Sequence, residues 1–279
     1  KLKCVSVSIR VCSSAWLERT PDKGEVGGSS PPRPTNFQRY VWYKYIIWYN
    51  NIMSVLAKFR LFNKKRKSSY RGEEELHILR FLCDSNKISI DVGANKGNYS
   101  LEMSKHSKKV LSFEPNISFN KYLNKMPLNC VTLNYAVTAN GNSMFLHAPI
   151  VDNDPKNNMA FISDEEYEER SLLISKVQTV LLDDYASEEI GMIKIDVEGT
   201  EVSVLNGSKK IIEKYSPNFL IESLTKQELK EQIDFFKPYN YIALKIINGK
   251  IFFVDNEEIH DKCRETDRNT IFMPSPNLD

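Results

Sequence analysis

The sequence predicts an α/β domain whose sheet is mostly parallel and closes with an antiparallel strand. Three observations carry this. Apolar runs ending in a carboxylate alternate with helical patterns from Lys87 onward, and a glycine-bearing turn, Ile90 to Ser100 (IDVGANKGNYS), joins the first run to a helix. Asn248-Gly249, between the strand-like segments Tyr241 to Ile247 and Lys250 to Val254, is a strong hairpin signal near the chain's end.

Before this domain the chain changes character twice. Residues 1–36 are polar and crowded with Pro and Gly, which predicts a disordered tail. Ser13 to Thr35 also resembles peptides translated from a bacterial tRNA gene, which implies a start assigned too far upstream; a genuine flexible tail is the alternative. Residues 37–84 read as a helical extension. Its aromatic-rich stretch, Phe37 to Phe62, is followed by Lys64-Lys65-Arg66-Lys67, the combination an interfacial membrane helix uses, although a helix packed on the domain or on another subunit fits as well. Glu73 to Cys83 is expected to be the helix that enters the domain and lies over its ligand cleft.

The catalytic domain is expected over 85–279. After the glycine turn, Asn98 to His106 reads as a helix and Lys109 to Glu114 as the second strand. A helix near Ile117 to Lys125 and a strand over Cys130 to Val137 follow, with Asn140-Gly141 predicting a hairpin to Ser143–Ala148. Residues 149–176 are polar and lack period; they are expected to be disordered or a lid, and to select substrate. Met192 to Val197 alternates, Ile193, Ile195 and Val197 on one side, Lys194, Asp196 and then Glu198 on the other. Such a polar row is costly in a covered sheet unless it lines a cleft or is paired. Thr200 and Ser208 are placed to start helices either side of Gly207, and Asn218 to Glu222 is again an apolar strand ending in an acid.

Composition excludes several classes. With 38 basic and 36 acidic residues well mixed along the chain, no global field points to nucleic acid. Five cysteines at 4, 12, 83, 130 and 263, without C-x-x-C spacing, disfavour a disulfide framework or zinc knuckle and fit a reducing cytosol.

Gly93 and Gly97 allow close backbone approach to a ligand, and the helix start behind them offers N–H donors. Asp91 beneath the turn disfavours phosphate and suits a ligand with a cationic or hydroxyl-bearing part; S-adenosylmethionine has both. Glu114, ending the second strand roughly 20 residues beyond the turn, is placed to take ribose hydroxyls.

These segments together resemble the FkbM family of S-adenosylmethionine-dependent methyltransferases: IDVGANKGNYS, SFEPN at Ser112 to Asn116, LNYAV at Leu133 to Val137, LDDY near Asp183, and IKIDVEGTEVSVLNG from Ile193 to Gly207. The resemblance implies a Rossmann-like class I methyltransferase fold with seven strands and helices on both faces. It also implies methylation of a hydroxyl on a sugar, glycan or small natural product. Asp91, Gly93 and Asn95 would shape the methionine pocket, Glu114 would hold the ribose, Asn134 and Ala136 would lie near the adenine, and Asp196 and Glu198 would face the transferred methyl. Asp196 and Glu222 end adjacent predicted strands, so either could be the base, or both could hold a divalent cation. Lys194 could instead neutralise them. The alternative class is a binding or scaffold protein that keeps the fold without turnover, held at a membrane surface by residues 37–67.

Overall fold

The computed structural model describes residues 74–151, 154–155, 159–166, 172–247, 250–263 and 267–275. The tail of 1–36, the aromatic stretch with its basic cluster, and Asn248-Gly249 lie outside the described residues.

A 3₁₀ segment Glu74–His77 and the one-turn α1 (Leu79–Leu82) lead into β1 (Ile88–Val92), α2 (Asn98–Ser104), β2 (Lys109–Phe113), α3 (Asn120–Leu123), β3 (Cys130–Leu133) and β4 (Ala136–Val137). Next come β5 (Met144–Val151), β6 (Asp154–Pro155), β7 (Phe161–Ser163), β8 (Leu172–Val177) and β9 (Thr179–Val180). The chain then continues through β10 (Ile190–Ile195), α4 (Glu201–Asn206), α5 (Lys209–Tyr215), β11 (Asn218–Glu222), α6 (Lys226–Phe236), β12 (Tyr241–Ile247), β13 (Lys250–Phe253) and β14 (Asn269–Pro274).

The central sheet runs β13-β12-β14-β11-β10-β1-β2-β3. From β3 to β11 neighbours pair in parallel, and β14 lies antiparallel to both β11 and β12. This is the mostly parallel α/β sheet with an antiparallel strand that the sequence predicts, with β13 as an added edge strand. The Asn248-Gly249 signal does join an antiparallel pair, β12 and β13, but the antiparallel strand inserted into the sheet is β14. Its apolar run is short and ends at Pro274, so its sequence is easily taken for a tail.

Parallel strands buried on both faces must be apolar on both, and β1 is buried along its whole length. One face packs Ile90, Phe113, Ile193, Ile195 and Phe219 against Val204, Leu205, Ile211, Ile212 and Phe236 of α4, α5 and α6. The other packs Val110, Met192, Leu220 and Ile271 against Leu79, Leu82, Tyr99 and Met103 of α1 and α2. The described part of the segment, Glu74 to Cys83, therefore roofs this second face, and none of these described residues lines the cavity described below. Its apolar side has the sheet to cover, and that decides where it goes.

Asn140-Gly141 does not make the expected hairpin. β4 pairs in parallel with β9, and β5 pairs antiparallel with β7 and β8. The Asn140 carbonyl instead accepts hydrogen bonds from the Thr138 and Thr179 hydroxyls, fastening the corner to β9. Residues 149–176, expected to lack structure, contribute three strands to a small antiparallel sheet. Thr200 does not cap α4 through its side chain; Glu201 folds that turn, its Oε1 accepting from Val197 N and Gly199 N at 3.2 Å each. Ser208 leaves α5 uncapped as well, and the Asp183 carboxylate of the LDDY segment accepts from Lys210 N and Ile211 N in its place. Among the described residues, no helix is long and apolar enough to cross a membrane.

Candidate active site

A cavity of about 260 Å³ opens at the carboxyl ends of β1, β2 and β10, where open α/β sheets bind ligands. Of the residues singled out by sequence, Gly93, Asn95, Glu114, Ala136, Asp196, Glu198 and Glu222 line it. Asp91, Gly97 and Asn134 do not.

Gly93 is dictated by geometry. Its φ is +77°, and a Cβ there would lie 1.8 Å from the Asp196 carbonyl oxygen, so the glycine turn and the acidic turn after β10 press backbone on backbone. Asn95 also takes a left-handed φ of 51° and points its N–H at Glu114, whose Oε2 accepts at 2.7 Å while Oε1 accepts from Asn116 N at 2.9 Å. Burial pushes the Glu114 carboxyl up to about 7, against the pull of those two N–H groups. Phe119, Tyr135, Ala136 and Val137 give the neighbouring wall an apolar lining, and Leu146, Ala160 and Ile162 extend it from the small sheet. The sequence marked Ser143–Ala148 as a strand and 149–176 as disordered or a lid, and what it did not show is that β7 and β8 pair with β5 across that polar stretch.

Asp91 faces the opposite layer and is fully buried. The Ser100 hydroxyl donates to its Oδ2 at 2.6 Å, and Lys194 Nζ stands 3.9 Å from its Oδ1. It braces the glycine turn from behind instead of touching the cavity, as the alternation along β1 requires. Gly97 sits at the start of α2 with φ +85°, facing Met126 and Leu123. The Asn134 amide donates to the Glu114 carbonyl at 3.0 Å and pairs with Asn120, so it fixes the segment beside the cavity from outside.

The far wall is acidic. Asp196, Glu198 and Glu222 each present a carboxylate oxygen within 4.8 Å of the others. Burial raises Asp196, but Lys194, whose Nζ lies 2.8 Å from its Oδ2, more than offsets this and holds it below its ordinary range. Burial, the Asp196 charge and the hydrogen bond between the two carboxyls push Glu222 up while Asp196 is held down, so of this pair Glu222 is the one that favours its proton. Burial and the neighbouring acids also raise Glu198, which occupies a left-handed φ of 57° before Gly199 at 107°. Arg268, just before β14, pulls Glu198 the other way. No local pattern in the sequence marks Arg268; β14 brings it there by pairing with β11.

This charge balance decides what the acidic wall fits. A divalent cation would draw on oxygens of all three acids, whereas Lys194 already supplies a positive charge at Asp196 Oδ2. The cluster fits proton handling better than metal binding.

The chain matches the family model of the methyltransferase FkbM domain over residues 91–243. No curated protein matches it. Solved structures with similarity include the methyltransferase FkbM from Methylobacillus flagellatus KT, at 10% identity and a TM-score of 0.46, covering 79% of this chain and 58% of that one. They also include an rRNA methylase from Streptococcus thermophilus, at 13% identity and a TM-score of 0.41, covering 71% and 92%. A third is a precorrin-6y C5,15-methyltransferase from Geobacter metallireducens GS-15, at 11% and 0.38, covering 74% and 90%. This chain thus spans 58% of the length of the Methylobacillus protein. The family match takes in more than half of the chain, from the glycine turn through the acidic wall to the start of β12, and the chain belongs to the FkbM methyltransferase domain family.

Proposed function

We propose that this protein is an S-adenosylmethionine-dependent O-methyltransferase acting on a hydroxyl of a sugar, glycan or small natural product. The observation that carries this is the meeting, in one cavity, of a glycine turn, a ribose-competent carboxylate and a hydrogen-bonded acidic pair. When bound, S-adenosylmethionine supplies an electrophilic methyl on a sulfonium, and displacement by an acceptor oxygen returns the bonding electron pair to sulfur.

Glu114 is suited to accept the ribose hydroxyls, since each of its oxygens keeps an acceptor position beyond its backbone bond. Tyr135, Ala136 and Val137 shield an apolar ring system. Asp196 is the base: its ionised carboxylate accepts the acceptor's proton, while Glu222, already protonated, stabilises it by hydrogen bonding. Holding the acceptor oxygen in line supplies much of the remaining rate.

Turnover is expected to survive extensive chelation, because Lys194 takes the place of a cation at Asp196; complete loss with EDTA, restored by added magnesium, would contradict this. The reading itself is tested by mass spectrometry of glycans and small metabolites from cells with and without the gene. A species one methyl heavier on oxygen, present only with the gene, is expected. Methylation confined to nitrogen or carbon would overturn the O-methyl assignment.

A further inference from the structure

Lys194 is a buried cation in the middle of the sheet, its side chain 3% exposed. Its ammonium touches groups from three elements: Asp196 at 2.8 Å on its own strand's end, Asp91 of β1 at 3.9 Å, and the Tyr99 ring of α2, whose centroid is 4.5 Å away. Its charge also reaches Glu114 after β2, Glu198 in the turn and Glu222 on β11. Two other cations lie nearby. Arg268 acts on Glu198, and Lys245 feels Glu222 while donating its own bonds to the carbonyls of Asp267, Arg268 and Asn269. Lys194 is the cation common to all five carboxylates, those beneath the glycine turn and those on the acidic wall.

Burying a lysine is costly unless its charge is matched, and Asp91, which burial pushes up toward its neutral form, stands 3.9 Å away. Yet the shorter contact is to Asp196, the group at the reacting edge. We propose that Lys194 is a positioning residue for the transfer: its ammonium, held against Asp91 of β1 and the Tyr99 ring, fixes the Asp196 carboxylate at the cavity edge by a direct hydrogen bond. Without that cation, the Asp196 carboxylate would be left among the acids Asp91, Glu198 and Glu222 with no positive partner in contact, which favours its protonated form. For the reaction it serves, the inference rests on the methyltransferase reading; the charge arrangement stands on geometry.

Carboxyl-carbon NMR titration of the full chain reads this arrangement without an acceptor, with Asp196→Asn and Glu222→Gln assigning the signals. In the unsubstituted protein Asp196 is expected to titrate below its ordinary range and Glu222 above its own. In Lys194→Met the Asp196 midpoint is expected to rise by about 1–3 pH units, and Lys194→Arg to keep the original order. An unmoved Asp196 midpoint in Lys194→Met overturns the proposal. Should Lys194→Met not fold, the triple variant Lys194→Met/Asp91→Asn/Asp196→Asn removes both stranded carboxylates as well and is expected to recover folding; failure to recover it overturns the pairing. Calorimetry of the unsubstituted chain with S-adenosylhomocysteine stands apart: absence of binding sinks the methyltransferase reading, and the titration still judges Lys194.

Discussion

Replacing Gly93 with Ala is expected to destabilise the domain by about 3 kcal/mol or more and to abolish binding of S-adenosylhomocysteine. Two costs combine. The backbone there is left-handed at φ +77°, and the new Cβ would meet the carbonyl oxygen and carbon of Asp196 at 1.8 and 2.9 Å. Both are main-chain atoms of the turn that carries the Asp196 carboxylate, so relief requires β1 and β10 to separate at the cavity itself. Gly97→Ala is the control, since its Cβ would press on the end of a flexible Met126 side chain at 2.5 Å and keeps only the backbone strain. Chemical denaturation of the two variants checks this. Near-equal stability would show that the two turns do not press on one another.

Asp196→Asn is expected to lower single-turnover methyl transfer by about 10²–10⁴-fold while leaving donor binding within a few-fold, as for loss of a general base. The amide can still accept the Lys194 hydrogen bond, so the variant removes charge and basicity more than shape. Transfer of radiolabelled methyl into an extract from cells lacking the gene measures the effect. Undiminished single-turnover transfer would move the base to another residue and leave Asp196 a structural partner of Lys194.

Much of the sheet and part of the site could be read from the chain. The strands β1, β2, β10 and β11 were legible because each is a short apolar run closed by an acid, and a parallel sheet sets those acids in a row at one edge. The alternation of Lys194, Asp196 and Glu198 showed that a polar row existed, and left open whether it was paired. Pairing depends on what the other strands and α2 present to it, namely Asp91 and Tyr99, which lie far away in sequence. Asp91 was misplaced for the same reason: the turn motif gives its position along the chain but not the face its side chain takes once β2 and β10 flank it. The pairing of β7 and β8 with β5 was missed because its register joins Met144 to Val177 across a stretch too polar to show a strand period. Arg268 reaches the acidic wall only through β14, a strand whose place in the sheet no local signal gives.

In the proposed function a methyl donor binds between the glycine turn and Glu114. The most direct test of this is calorimetry with S-adenosylhomocysteine on the full chain and on Glu114→Gln at pH values spanning about 7, the value to which burial lifts this carboxyl. The ionised carboxylate is the better partner for ribose hydroxyls, so binding is expected to weaken as pH falls through that value and to level off above it. In Glu114→Gln it is expected to be weaker and flat. Failure of the unsubstituted chain to bind, or binding that Glu114→Gln leaves equally tight and equally pH-dependent, would contradict the account.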